Sequence, residues 1–242
     1  MFDIIIKNGT IIDGSNKPHY KSDIGINNNK IEKIGSLENA SAKKTIDASG
    51  LIISPGFIDI HTHSDISVIN DPLNESKIFQ GVTTEVTGNC SYSPFPSGNN
   101  DPNTLKEELW EKRGNADDPN TIWKWTTFDE YANYLQEKET SLNIAPQVGY
   151  AALQIASGSV ENRRATEDEL AKMKKLANES IEQGAFSLST GLSVPPSAFA
   201  STEEIIEICK SISHYDNVFY VTHAREGAGR HISKIEEAVE IG

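Results

Sequence analysis

Basic residues are scarce in this chain: 22 lysines and arginines face 35 aspartates and glutamates among 242 residues, for a formal charge of −13. That sign argues against a phosphate-backbone partner, because nucleic-acid binding needs a basic face that displaces counterions. Cysteine is nearly absent. Cys90 and Cys209 stand far apart in unlike surroundings, which argues against a disulfide framework and leaves each as a single thiol. Long apolar runs are missing too. The start, Met1 to Lys7, holds three successive isoleucines with no basic segment ahead of them, so neither a signal peptide nor a membrane partner is indicated, and a cytoplasmic setting is expected. No repeat or low-complexity tract is visible. What remains is 37% apolar and 24% charged, the balance of a soluble globular protein with a sizeable core.

Along the chain, residues 1–54 read as a small β-domain. Strands are expected at Asp3–Lys7, Thr10–Asp13, Ser22–Ile26 and Lys30–Ile34, split by turn signals at Asn8-Gly9 and Asn27-Asn28-Asn29. From residue 55 the pattern changes to strands alternating with helices. Strand candidates are Phe57–His63, Thr83–Gly88, Asn143–Val148, Ala185–Ser189 and Val218–Thr222. The best helix is Glu167–Gln183, with a Thr166/Glu169 capping box, an apolar stripe of Leu170, Met173, Ala177 and Ile181, and a stop at Gly184. Another, Glu203–Ser213, is expected to be capped by Thr202 and to bury Ile205, Cys209 and Ile212, which makes Cys209 a core residue. A final helix is read at Ser233–Gly242. The tryptophan-bearing segment Ser91–Trp125 is long for a connection, and such loops in α/β barrels shape substrate sites.

Repeated β/α units with no second-sheet pattern point to a (β/α)8 (TIM) barrel, which takes roughly 250 residues by itself. Residues 55–242 hold only five units, and an unclosed parallel barrel leaves bare edges. The chain therefore reads as a small N-terminal β-domain followed by an incomplete barrel, truncated at its C-terminal side.

The strongest chemical feature is the run from Pro55 to Asp65. Strand alternation puts Asp59, His61 and His63 on one face, so two imidazoles converge at the C-terminal end of a barrel strand, where active sites are built and zinc is readily held. Cys90 lies just past the second strand, at the same rim, where a thiolate beside a metal would be deprotonated. His223 closes the fifth strand and is a plausible additional ligand. Arg225 shares its face and could clamp a carboxylate with its planar fork, or it pairs with Glu226 or another acid at the rim.

The segment Pro55–Asp65 resembles the metal-binding signature of the amidohydrolase superfamily. Three others resemble its D-aminoacylase (N-acyl-D-amino-acid deacylase) family: Gly81–Ser93 around Gly88-Asn89-Cys90, Phe186–Leu192 with Pro195-Pro196, and Thr222-His223-Ala224-Arg225. The resemblance implies a tight zinc on Cys90, His223 and a histidine of a sixth strand, with His61 and His63 serving a second, weaker position. It implies that Ser189 and Arg225 bind substrate, that residues 1–54 are half of a composite β-sandwich, and that a catalytic aspartate comes from an eighth strand beyond Gly242. The fourth strand, Ala185–Thr190, has no lysine of the kind that bridges two metals in many relatives, and Cys90 is the natural substitute.

The implied activity is metal-dependent hydrolysis of a small N-acyl-D-amino acid to a carboxylate and a D-amino acid, with no turnover expected of these 242 residues alone. The alternatives are a dipeptidase, a hydantoinase- or dihydroorotase-like enzyme, or a non-catalytic metal-binding remnant. The chain departs from the family pattern at Tyr150, usually histidine, Gln154, usually arginine, Val194, usually tyrosine, and Ser91, commonly glycine. These positions are expected near the substrate.

Overall fold

Alternating isoleucines and paired asparagines shape the first part of the chain. In the computed structural model, which describes residues 1–111, 123–225, 229 and 231–242, it divides into two compact units, Met1–Gly56 and Phe57–Gly242. The first is a sheet of β1 (Phe2–Ile11), β2 (Tyr20–Asn27), β3 (Lys30–Gly35), β4 (Ala42–Asp47) and the short β5 (Ile52–Ile53). The order is β3-β2-β1-β4, with β5 also paired to β1.

Asn28 and Asn29, at φ of 47° and 61°, turn β2 antiparallel into β3, as asparagine's tolerance of the left-handed region allows. Asn8-Gly9, expected to separate two strands, is instead a bulge in one. The register runs Ile6↔Ile24 and then Gly9↔Ser22, and the Asn8 amide donates to Asp23 Oδ1 at 3.0 Å. β4 and β5 were not expected. Both are short, and β4 is lysine-rich and mostly exposed, so it carries little apolar alternation to read.

The second unit strings parallel strands between helices: β6 (Phe57–Asp59), α1 (Ser67–Asn70), α2 (Glu75–Ile78), β7 (Val82–Thr87), α3 (Pro102–Leu109), α4 (Phe128–Glu137), β8 (Asn143–Pro146), β9 (Val148–Gly149), α5 (Tyr150–Ser157), α6 (Glu167–Gln183), β10 (Leu188–Gly191), α7 (Thr202–Ile212), β11 (Tyr220–His223) and α8 (His231–Ile241). β6-β7-β8 and β9-β10-β11 form two parallel ladders. Gln147 joins them: its amide donates to Thr87 O at 3.0 Å, and that of Val148 donates the other way, to Ser187 O at 2.9 Å. The strands therefore follow one another in chain order without reversal, the winding of a barrel wall rather than of a doubly wound sheet. Among the described residues the wall does not close.

α6 has the expected capping box and ends at Gly184 with φ of 119°, and Met173, Ala177 and Ile181 are buried. α7 is capped by Ser201, not Thr202, because the Ser201 hydroxyl accepts from the Glu204 amide at 3.3 Å. Ile205, Ile208 and Ile212 are buried there, and Cys209 packs against the core. The segment Ser91–Trp125 contributes core instead of a solvent-facing wall. Trp123 stacks on Trp125, Trp110 meets Trp123 and Tyr131 meets Trp125 edge-on, and all four are buried. Residues 112–122 of that segment lie outside the described ones.

Candidate metal centre

β6 stops at Asp59, earlier than the expected Phe57–His63, yet the alternation persists beyond it. The Thr62 amide and hydroxyl both donate to Val86 O at 3.1 Å, which turns Thr62 into the wall and leaves His61 and His63 on the open side. β7 delivers Cys90 through a tight turn in which Gly88, Cys90 and Ser91 all take positive φ: 76°, 55° and 74°. β11 ends on His223.

Three of the four expected ligands, His61, His63 and Cys90, form one cluster, and His223 approaches it at Cys90. Cys90 Sγ lies 3.5 Å from His61 Nε2 and 3.7 Å from His223 Nδ1. The ligand atoms of His61, His63 and Cys90 all lie within 4.8 Å of one another. Two ligands on one tetrahedral zinc are separated by about 3.3–3.6 Å, given Zn–N near 2.0 Å and Zn–S near 2.3 Å. The two Cys90–histidine separations are close to that spacing, and a thiol among imidazoles is a donor type that suits zinc. Burial and the charges of His61 and His223 push His63 below the ordinary histidine pKa, which favours its neutral, ligating form. Burial pushes the Cys90 thiol up.

Asp59 and polar residues that the sequence did not single out hold these loops. Lys77 Nζ sits 2.6 Å from Asp59 Oδ2 and 3.2 Å from Glu85 Oε1; Asp59 Oδ1 accepts from the His61 amide at 3.3 Å, and Ser64 donates to the fully buried Glu85 at 2.6 Å. The lysine, on α2, thus ties the histidine loop to β7 and keeps Asp59 below the usual carboxylate range. Asp65 is fully buried. Burial raises its pKa to about 7 against the pull of the nearby Gly88 amide and Thr87 hydroxyl, and neither carboxylate oxygen reaches a partner at full hydrogen-bond geometry.

Two expected substrate contacts have other tasks. Ser189 has no exposed surface; its hydroxyl donates to Gly88 O and accepts from the Ser91 amide. Arg225 spends its fork on the protein: Nη1 donates to Ala198 O at 2.7 Å, Nη2 to Ala200 O at 2.9 Å and Nε to Glu237 at 3.1 Å. It takes the ion-pair alternative with Glu237; Glu226 lies outside the described residues. Tyr150 and Gln154 also point into packing. Tyr150, its phenol pushed well up chiefly by burial, donates to Glu204 at 2.5 Å, and Gln154 accepts from Ser197 at 3.0 Å, so neither is displayed to a substrate. Val194 is partly exposed.

Imidazoles that follow β6 and end β11, with a thiol that follows β7, stand at the C-terminal rim of a parallel wall, the place where barrel-type metal-dependent hydrolases hold their metals. A model of the amidohydrolase family matches residues 44–229, and the chain belongs to that family. Among its relatives, a D-aminoacylase of Alcaligenes xylosoxydans xylosoxydans is 38% identical over 241 residues, covering 100% of this chain and 48% of the relative. The crystal structure of a D-aminoacylase described as defining a novel subset of amidohydrolases superposes with a TM-score of 0.88 at 37% identity, over 100% of this chain and 49% of that one. An N-acyl-D-glutamate deacylase from Bordetella bronchiseptica, solved with zinc and a phosphonate mimic of the tetrahedral intermediate, superposes with a TM-score of 0.86 at 30% identity, over 100% and 49%. The chain spans about half the length of these relatives.

Proposed function

We propose that the whole protein hydrolyses the amide bond of N-acyl-D-amino acids to a carboxylate and a free D-amino acid, with zinc held by His61, His63, Cys90 and His223. The observation that carries this reading is the Cys90 thiol standing between His61 and His223, in a chain that matches deacylases from end to end. When bound, zinc supplies Lewis-acid polarisation of the amide carbonyl and acidifies water.

The chain's own part is to present the ligands. Cys90 Sγ lies close to a histidine of each group; with His223 it would hold a tight zinc, and His61 and His63 would serve a second, weaker position. β10, Leu188–Gly191, offers no lysine to bridge two metals. We assign proton transfer to the leaving amine to an aspartate outside these 242 residues. Ile58 in β6, Ile60 just past it, and Ile232, Ile235 and Val239 on α8 are exposed, which supports further β/α units that close the barrel over them. Exposed Ile31, Ile34 and Ile46 likewise support the first unit as half of a composite β-sandwich.

The test is the zinc-loaded whole protein against matched N-acetyl-D- and N-acetyl-L-amino acids, with the released amine resolved by chiral chromatography. Release from the D series alone is the expected result. Hydrolysis of cyclic amides without release from either series would favour the hydantoinase-like alternative.

A further inference from the structure

We propose that the buried side-chain amide of Asn89 is the positioning group that fixes the two-histidine loop against Cys90, and that Gln147 and Ser187 set its orientation. The inference rests on the reading of His61, His63, Cys90 and His223 as metal ligands. Asn89 Nδ2 donates to Thr62 O at 3.2 Å and to Val86 O at 2.9 Å. Thr62 stands between His61 and His63, and Cys90 follows Asn89 directly. One planar group therefore joins the loops that carry three of the four ligands.

Its orientation is dictated from outside those loops. Asn89 Oδ1 accepts from Gln147 Nε2 at 2.9 Å, and Gln147 Oε1 accepts from Ser187 Oγ at 2.6 Å. Asn89, Gln147 and Ser187 have no exposed surface. Turned over, the Asn89 amide would point its oxygen at two carbonyl oxygens and its NH2 at the NH2 of Gln147, leaving both ends of Asn89 and the Gln147 NH2 unsatisfied where water does not reach. The chain of bonds runs from the end of β7, across the junction of β8 and β9, to the residue just ahead of β10. It touches no metal-ligand atom, so its effect is on where the ligands stand. The backbone fits the same purpose: a Cβ on Gly88 would lie 2.2 Å from Gln147 O, so only glycine lets the Asn89 turn run this close to the strand.

Two variants of the full chain test this, Gln147→Leu, which strips Asn89 Oδ1 of its donor, and Ser187→Ala, which removes only the outermost bond. Three quantities are read: zinc affinity by competition with a chromophoric chelator, the thiolate-to-metal charge-transfer band with cobalt(II), and the rate of Cys90 alkylation by iodoacetamide. Cys209, its thiol pushed up to about 12 by burial, is the internal reference. With far-UV circular dichroism and the Cys209 rate unchanged, Gln147→Leu is expected to bind zinc about 10- to 100-fold more weakly, to shift the cobalt band and to alkylate faster at Cys90. Ser187→Ala should move all three in the same direction by less. Wild-type affinity, band and rate in both variants would overturn the proposal and leave the ligand reading standing. If the wild type binds neither metal, the ligand reading fails, and the alkylation rates alone decide positioning: unchanged rates overturn it, faster rates support it. If Gln147→Leu does not fold, Ser187→Ala decides by the same criteria.

Discussion

Alanine at position 191 would set a Cβ 2.4 Å from the carbonyl oxygen of Cys90 and 2.7 Å from its carbonyl carbon, about 1 Å short of ordinary van der Waals contact at 3.4 Å. The obstacle is backbone on both sides. Gly191 lies in β10, its amide donating to Ser91 Oγ at 2.5 Å, and Cys90 lies in a turn whose neighbour Ser91 donates to Ser189 at 3.3 Å. No side chain can rotate away, so the turn must move off the strand and carry the thiol from its place 3.7 Å from His223 Nδ1. Overpacking of this kind costs about 1–3 kcal/mol. In a chain of this length that is a fall in Tm of about 2–4 °C per kcal/mol. Gly191→Ala is therefore expected to melt about 2–12 °C lower by calorimetry and, at temperatures where it is folded, to bind zinc more weakly than the wild type. A variant with the wild-type Tm and zinc affinity would refute the claim that Gly191 is there to let the Cys90 turn approach.

Three further outcomes follow from the same geometry. Cys90→Ala and His223→Ala should each lower zinc retained after dialysis while leaving the circular dichroism spectrum intact, checked by elemental analysis. Lys77→Met removes the cation shared by Asp59 and the fully buried Glu85; because the lysine itself is partly exposed, a loss of about 2–4 kcal/mol in urea unfolding is expected, part of it recovered by adding Glu85→Gln. Glu169 is held at about 2, chiefly by Arg163, against 4.5 unperturbed. A depressed carboxylate contributes stability above its unfolded pKa and loses it as pH falls through the folded one, so the small contribution of this exposed pair should fade between about pH 5 and 2. Glu169→Gln should flatten the stability–pH curve in that window.

The placement of the candidate ligands was legible because each is a chemically distinctive residue at or just past a strand end, where alternation and chain order suffice to locate it. α6 was legible for a similar reason: its capping box, apolar stripe and terminal glycine are all local. Asn89, Gln147, Ser187 and Lys77 were not, since their importance arises from meeting one another across 40 to 58 residues of chain in the case of the amides and from burial no local pattern reveals. The protein partners of Ser189 and Arg225 were hidden for the same reason. Position on a rim gives a residue's neighbourhood but not its rotamer, and nearby Gly88 and Ser91 claim the serine while Ala198, Ala200 and Glu237 claim the arginine. The tryptophans of the long segment look like a binding loop in sequence, yet large aromatic area is most stabilising when buried, and the described ones are buried.

X-ray absorption at the zinc edge of the zinc-loaded protein tests the central claim most directly, because it reports the donor atoms themselves. A first shell with a sulfur scatterer at about 2.3 Å beside nitrogen scatterers near 2.0 Å, the sulfur lost in Cys90→Ser, is the expected result. A shell of nitrogen and oxygen alone in the wild type would contradict the assignment of Cys90 to the metal.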